Sequence, residues 1–298
     1  MRHKLKIFIR TCSNVSRLSL RAFKFQSQEE LIIECLSSLF KSCSLVKDRV
    51  IINIIDDSSP KEFRDKLREL LTKFNLNGKV IEISKGSYGG NYCFCLDLLE
   101  KSKEKLFLLT EDDYLYVENA IPYILEAYDN GIIGTDEFAI HPSDYIDRYE
   151  KIYPSFIFLG KNCHWRSIAE STGTFVITKK IFNKYKDLFY LHGQNVMEES
   201  SLNKIWQKVP LISPIPSLAG HLNYDTLPPF IDWEKILEKN IARNDKPKEN
   251  FNKDNFLKKV KKQLKFINKH ILHRAYLKKI QNNHLFAYNN LYWNKDNK

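Results

Sequence analysis

At 298 residues and 43% hydrophobic content, the chain can bury a substantial core and suits one large domain with an appendage. No stretch nears the roughly 20 uninterrupted apolar residues of a membrane span, and MRHKLKIFIRTCSN has too short an apolar centre for a signal peptide, so residence in the cytoplasm is expected. The net charge of +11 is uneven: residues 246–298 hold 14 Lys/Arg against 3 Asp/Glu, while the preceding residues hold 33 of each, which argues against a nucleic-acid-binding body and for a basic tail with its own electrostatic partner.

In chain order, LKIFIR (5–10) reads as a strand, EELIIECLSSLFKSC (29–43) as a helix and RVIINII (49–55) as a second buried strand. Pro60 suits a first helical turn, and the segment after it places Phe63, Leu67, Leu70, Leu71 and Phe74 on one face. KVIEI (79–83) is a third strand, and a third helix over 89–101 leads into KLFLLTEDDYLY (105–116). This alternation predicts an α/β fold with a mostly parallel central sheet and right-handed crossovers. Beyond Tyr116 the connections lengthen and become rich in aromatic residues. There TGTFVITKKIFNKY (172–185) reads as strand then helix, and 192–209 contains a helix with Leu202, Ile205 and Trp206 inward. Six cysteines without a CxxC pair or Cys/His metal spacing predict buried thiols rather than a zinc site or disulfide framework.

The strongest chemical signal is Glu111-Asp112-Asp113, directly after the apolar run LFLL. An apolar run bounded by charge reads as a strand buried on both faces, and in such sheets ligands bind at the strand carboxyl ends. Three adjacent carboxylates repel one another. With no Arg or Lys beside them in the sequence, a shared hard cation such as Mn2+ or Mg2+ would relieve them; the alternative is a solvated turn with side-chain capping. Asp56 and Asp57 end the second strand, where a helix N-cap beside Pro60 competes with ligand contact. His221, in PSLAGHLNY, is either a metal ligand or structural. Glu198 and Glu199 precede the helix ending in KIW, and serve either as a general base or as favourable charge at a helix start. GSYGGNY (86–92) matches neither the dinucleotide fingerprint nor a phosphate loop and reads as a turn. Thr172, Gly173, Thr174 and Trp165 are candidates for lining a sugar pocket, with the core as the alternative for Trp165.

Read together, Arg10-Thr11, Asp56-Asp57 and Glu111-Asp112-Asp113 at successive strand ends resemble the GT-A-fold, nucleotide-sugar-dependent glycosyltransferases, similar to glycosyltransferase family 2, over roughly residues 4–225. The resemblance implies a Rossmann-like catalytic domain over residues 1–235 and a C-terminal helical extension over 236–298. It further implies nucleotide-sugar contacts from Arg10, Thr11, Asp56, Asp57, Glu111 and Asp112. A divalent metal, Mn2+ or Mg2+, would be held by Asp113, Glu111 and His221, with Glu111 standing where the family's acidic triplet usually has Asp. Glu199 would be the general base, with Glu198 orienting the acceptor, although the family commonly has Asp at the second position of that pair. The implied activity moves a sugar to a glycan or lipid-linked acceptor with inversion, as in polysaccharide biosynthesis. A sugar nucleotidyltransferase is the alternative enzyme, but LKIFIRTCSN lacks its Gly-rich loop.

In the tail, Leu257, Val260, Leu264, Ile267 and Ile271 form an apolar stripe flanked by lysines. Two readings stand: residues 256–279 lie on an anionic membrane surface as a peripheral anchor, or the stripe docks on the catalytic domain.

Overall fold

The computed structural model describes residues 3–15, 18–150, 152–171 and 173–241. The chain divides into two units, 1–245 and 246–298. The expected amphipathic tail and its membrane-facing stretch 256–279 lie outside the described residues. The expected boundary at 235/236 falls within a helix (Trp233–Ile241) whose Trp233 and Leu237 are buried against Leu31 and Cys35.

The first half alternates strand and helix: β1 (Leu5–Thr11), α1 (Gln28–Ser44), β2 (Val50–Asp57), α2 (Lys61–Lys73), β3 (Gly78–Ile83), α3 (Tyr88–Glu100) and β4 (Leu106–Glu111). The second half runs β5 (Tyr114–Tyr116), α4 (Ala120–Asp129), β6 (Ala139–Ile140), α5 (Asp147–Glu150), β7 (Ile157–Phe158), β8 (His164–Ile168) and β9 (Phe175–Thr178). It continues through α6 (Lys179–Lys184), α7 (Lys186–Gly193), α8 (Leu202–Trp206), β10 (Leu211–Ile215), β11 (Ala219–His221) and α9 (Trp233–Ile241). Nine strands form one sheet in the order β3-β2-β1-β4-β9-β6-β10-β8-β7. The four strands that alternate with helices are all parallel, as expected. Beyond β4 the sheet is mixed, because β9 runs antiparallel to both β4 and β6.

Side chains alternate across the pleat, so each apolar run feeds two cores. Ile7, Ile9, Ile52, Ile54, Leu106 and Leu108 pack on one face with Leu36 and Phe40 of α1 and Phe63 and Leu67 of α2. Phe8, Ile55, Phe107 and Leu109 pack on the other with Tyr92 and Leu96 of α3, Phe189 of α7 and Ile205 of α8. Double-sided burial explains why these strands read as continuous apolar runs. Trp165 is 2% exposed in the first core, which resolves that residue as structural. Ser27 and Ser87 cap α1 and α3 by accepting the backbone N–H of Glu30 and Gly90, each at 3.1 Å. All six cysteines are free thiols, four of them buried.

Two features of the second half position the site. Antiparallel β9 starts where β4 ends, bringing Gly173 and Thr174 to Glu111, whose N–H donates to Thr174 Oγ1 at 3.3 Å. The β5–β11 pair sets His221 opposite Tyr114, and the Leu222 N–H donates to the Asp113 carbonyl at 3.1 Å. A histidine 108 residues away thereby becomes a neighbour of the acidic triplet.

Candidate active site

The carboxyl ends of β1, β2 and β4 and the β3–α3 turn enclose a cavity of about 430 Å³. Arg10, Thr11, Asp57, Glu111, Asp112 and Asp113 line it together with Arg21, Tyr88 and Asn91. The strand-end residues predicted from sequence therefore converge on one pocket, with one exception.

Asp56 is fully buried and turned inward. It accepts Thr11 Oγ1 at 2.9 Å, the Ser59 N–H at 3.1 Å and Ser59 Oγ at 2.7 Å. With both oxygens engaged in shaping the turn after β2, it is a structural residue and not a pocket wall. Asp57 is the pocket-facing member of that pair, and it accepts the Lys85 and Gly86 N–H groups at 2.8 and 3.2 Å, fixing the β3–α3 turn. Gly86 has φ +61°, a left-handed value that glycine adopts without strain.

Arg10 is 6% exposed, pairs with Glu111 Oε1 at 2.9 Å and lies with its guanidinium carbon 4.3 Å from the Tyr88 ring centre. Burial alone would ease Arg10 toward neutrality, but Tyr88 and Glu111 outweigh it and hold the guanidinium charged. Gly173 packs directly against this cluster: a Cβ there would lie 2.6 Å from Tyr88 Oη, 2.7 Å from Arg10 Nη2 and 3.1 Å from Glu111 Oε1. Each of these atoms is the far end of a flexible side chain, so Gly173→Ala is expected to displace the Arg10–Glu111–Tyr88 tips rather than the fold, at a cost of about 1 kcal/mol or less in a denaturation curve. A much larger loss would show that the cluster cannot yield.

Asp113 is 8% exposed, and its Oδ2 receives Arg21 Nη1 at 2.8 Å and faces His221 Nε2 at 3.3 Å. Its Oδ1 is buried and has no hydrogen-bond partner among the described residues. Burial would raise the Asp113 carboxyl, but His221 and Arg21 outweigh it and hold the group low. For Asp112, burial first and then the Asp113 charge push the carboxyl up, although its Oδ2 accepts the Cys12 N–H at 3.2 Å. His221 would be lowered by burial, yet Asp113 raises it, and its ring stacks on Tyr114 with centroids 4.9 Å apart.

One expectation needs correction. The triplet lacks a neighbouring cation only in sequence, since the fold brings Arg10 to Glu111 and Arg21 to Asp113. Of the residues expected to hold a metal, Asp113 and His221 lie side by side, and Glu111 pairs with Arg10. Among the described residues, no group of three or more His, Cys, Asp and Glu side chains is arranged to hold a metal ion. Even so, with Asp112 pushed toward its neutral form, the wall still sets three carboxylates (Asp57, Glu111 and Asp113) against two arginines. Arg21 had no sequence signal, because it lies in an irregular segment after β1 rather than at a strand end.

A second, smaller cavity of about 200 Å³ is lined by Tyr145, Arg148, Ser171, Glu198, Glu199 and Asn203. Glu198 and Glu199 occupy a short 3-10 turn (Glu198–Ser200) just before α8. Glu199 is exposed, while Glu198 is half-buried and its charge acts on Tyr88, a wall of the larger cavity. Tyr145, on the wall of the smaller cavity, has its Oη 2.6 Å from Tyr114 Oη, and Tyr114 directly follows Asp113 in the chain.

No family model matches the chain, and no curated protein matches it. Solved structures with a similar arrangement include TarS of S. aureus, residues 1–349 in complex with UDP, at 14% identity over 82% of this chain and 67% of that one, TM-score 0.46. They also include the mannosyltransferase PcManGT from Pyrobaculum calidifontis in complex with GDP-Man and Mn2+, at 12% identity over 62% and 47%, TM-score 0.39. A third is a putative glucose-1-phosphate thymidylyltransferase from Bacillus anthracis in complex with a sucrose, at 13% identity over 82% and 98%, TM-score 0.45. The chain thus spans about half the length of PcManGT. With TM-scores below 0.5, none of these likenesses weighs on the activity of this chain.

Proposed function

We propose that the chain is a glycosyltransferase that moves a sugar from a nucleoside-diphosphate donor to a hydroxyl of a glycan or lipid-linked acceptor, with inversion. The observation that carries this reading is the convergence of Arg10, Asp57, Glu111 and Asp113 from three strand ends on one cavity whose wall is short of positive charge. A diphosphate entering that cavity adds further negative charge, and a divalent cation would offset it. The unpartnered, buried Asp113 Oδ1 fits such an ion, and Asp113 and His221 would hold it. When bound, the cation would stabilise the charge developing on the leaving diphosphate.

The remaining work falls to the chain's own groups. Asp57 is placed to hold the nucleoside, and the Arg10–Glu111–Tyr88 cluster forms the wall beside the reacting sugar. The acceptor hydroxyl would enter from the smaller cavity, where a carboxylate of the Glu198/Glu199 pair takes its proton. The acceptor oxygen then bonds to the anomeric carbon, whose bond to the diphosphate oxygen breaks, and the diphosphate leaves with the electron pair. Of the two glutamates, Glu198 is favoured as the base over Glu199, because it is half-buried on the wall of the smaller cavity whereas Glu199 is exposed. This reverses the order expected from the resemblance.

The direct test is thermal stabilisation by nucleoside diphosphates with and without Mn2+. A cation-dependent rise in Tm with at least one of them is expected, and no rise with any would overturn the reading. His221→Ala should weaken the apparent Mn2+ affinity by at least roughly 10–100-fold, the cost already seen when a group that only supports a metal ligand is lost. An unchanged Mn2+ titration would remove His221 from the cation's surroundings.

A further inference from the structure

Arg21 reaches the pocket from the segment between β1 and α1, which is pinned across the site. Arg21 and Asn223 form an antiparallel bridge, the Ala22 N–H donates to the Leu222 carbonyl at 2.9 Å, and Arg21 Nη1 also donates to Asn223 Oδ1. The side chain is 3% exposed, and its Nε is buried without a hydrogen-bond partner among the described residues. Its Nη1 lies 2.8 Å from Asp113 Oδ2, on the oxygen that His221 also faces. A guanidinium and a divalent cation repel each other when both crowd one buried carboxylate. An ion held by Asp113 and His221 Nε2 would crowd Oδ2, the oxygen that Arg21 occupies, so the two compete there although Oδ1 has no partner among the described residues.

We propose that Arg21 is the chain's own stand-in for the cation. It holds Asp113 while the divalent ion is absent and is displaced from that carboxylate when the ion binds. The position of the Leu18–Phe23 segment is thereby coupled to cation occupancy, and the freed guanidinium, still on the pocket wall, turns to the donor's diphosphate. This rests on reading the pocket as a divalent-cation site. It adds that occupancy of the site is competitive and that a loop residue is the competitor.

The experiment is Mn2+ binding to the full chain, without nucleotide, by the electron paramagnetic resonance signal of free Mn2+. Arg21→Gln is expected to bind Mn2+ at least about five-fold more tightly than the unmodified chain, the lower end of usual coupling between competing ligands. Arg21→Lys should stay near the unmodified value, and Asp113→Asn should lose binding. In the unmodified chain, saturating Mn2+ should also speed hydrogen exchange at the Ala22 amide, which holds the segment to Leu222. If Arg21→Gln binds Mn2+ equally or more weakly while Asp113→Asn abolishes binding, the competition is refuted and the cation site stands. If neither the unmodified chain nor Arg21→Gln binds Mn2+, the cation reading fails and takes this inference with it. Should Arg21→Gln not fold, Ala22 exchange that is unchanged by Mn2+ binding overturns the proposal on its own.

Discussion

Asp113→Asn is expected to lower sugar transfer by about a thousand-fold or more and to lower Tm at the same time. The activity loss follows because Asp113 carries the unpartnered oxygen that would face the cation, and removing a preorganised electrostatic group at a developing charge costs 10²–10³-fold or more. The stability loss has a separate origin. Arg21 is 3% exposed and has Asp113 as its ion-pair partner, and an orphaned buried charge costs about 3–5 kcal/mol, reduced here because the Asn oxygen still accepts a hydrogen bond. In a domain of this size each kcal/mol corresponds to roughly 2–4 °C in Tm. Added Mn2+ should restore neither property. Full activity in Asp113→Asn would remove the residue from the chemistry, and an unchanged Tm would mean that the Arg21 pair is not formed in solution.

Glu198→Gln should show the opposite split, with turnover falling by about 10²–10⁴-fold and Tm unchanged. The isosteric amide cannot take a proton from the acceptor hydroxyl, and loss of a general base costs that much. Stability should hold, because the Glu198 carboxylate makes no hydrogen bond or ion pair with the described residues. Glu199→Gln should cost less, since its side chain is exposed. Steady-state transfer rates and thermal melts on both variants check this, and a larger loss in Glu199→Gln than in Glu198→Gln would restore Glu199 as the base.

The parallel half of the fold was legible because its strands are buried on two faces and its helices on one, giving apolar runs and helical periodicities that read locally. Boundaries agree to within one or two residues for β1, α1, β2, β3 and α3. The mixed half was less so: β9 reads as a strand from Phe175-Val176-Ile177, yet its antiparallel pairing with β4 comes from the path of the intervening chain. At the site, residues ending strands were found from strand order alone. The orientation of Asp56 was not, since adjacent aspartates at a strand end point to opposite sides and only Ser59 and Thr11 decide which is consumed in the turn. Arg21 was invisible because an irregular loop carries no period, and its partner Asp113 lies 92 positions away in the chain.

The central claim is transfer from a nucleoside-diphosphate sugar, and a screen of such donors for hydrolysis or transfer, with Mn2+ and with a chelator, tests it most directly. Release of a nucleoside diphosphate from at least one donor, dependent on Mn2+ and lost in Asp113→Asn, is the predicted result. Failure of every donor to release diphosphate, or release that Asp113→Asn leaves intact, would contradict it.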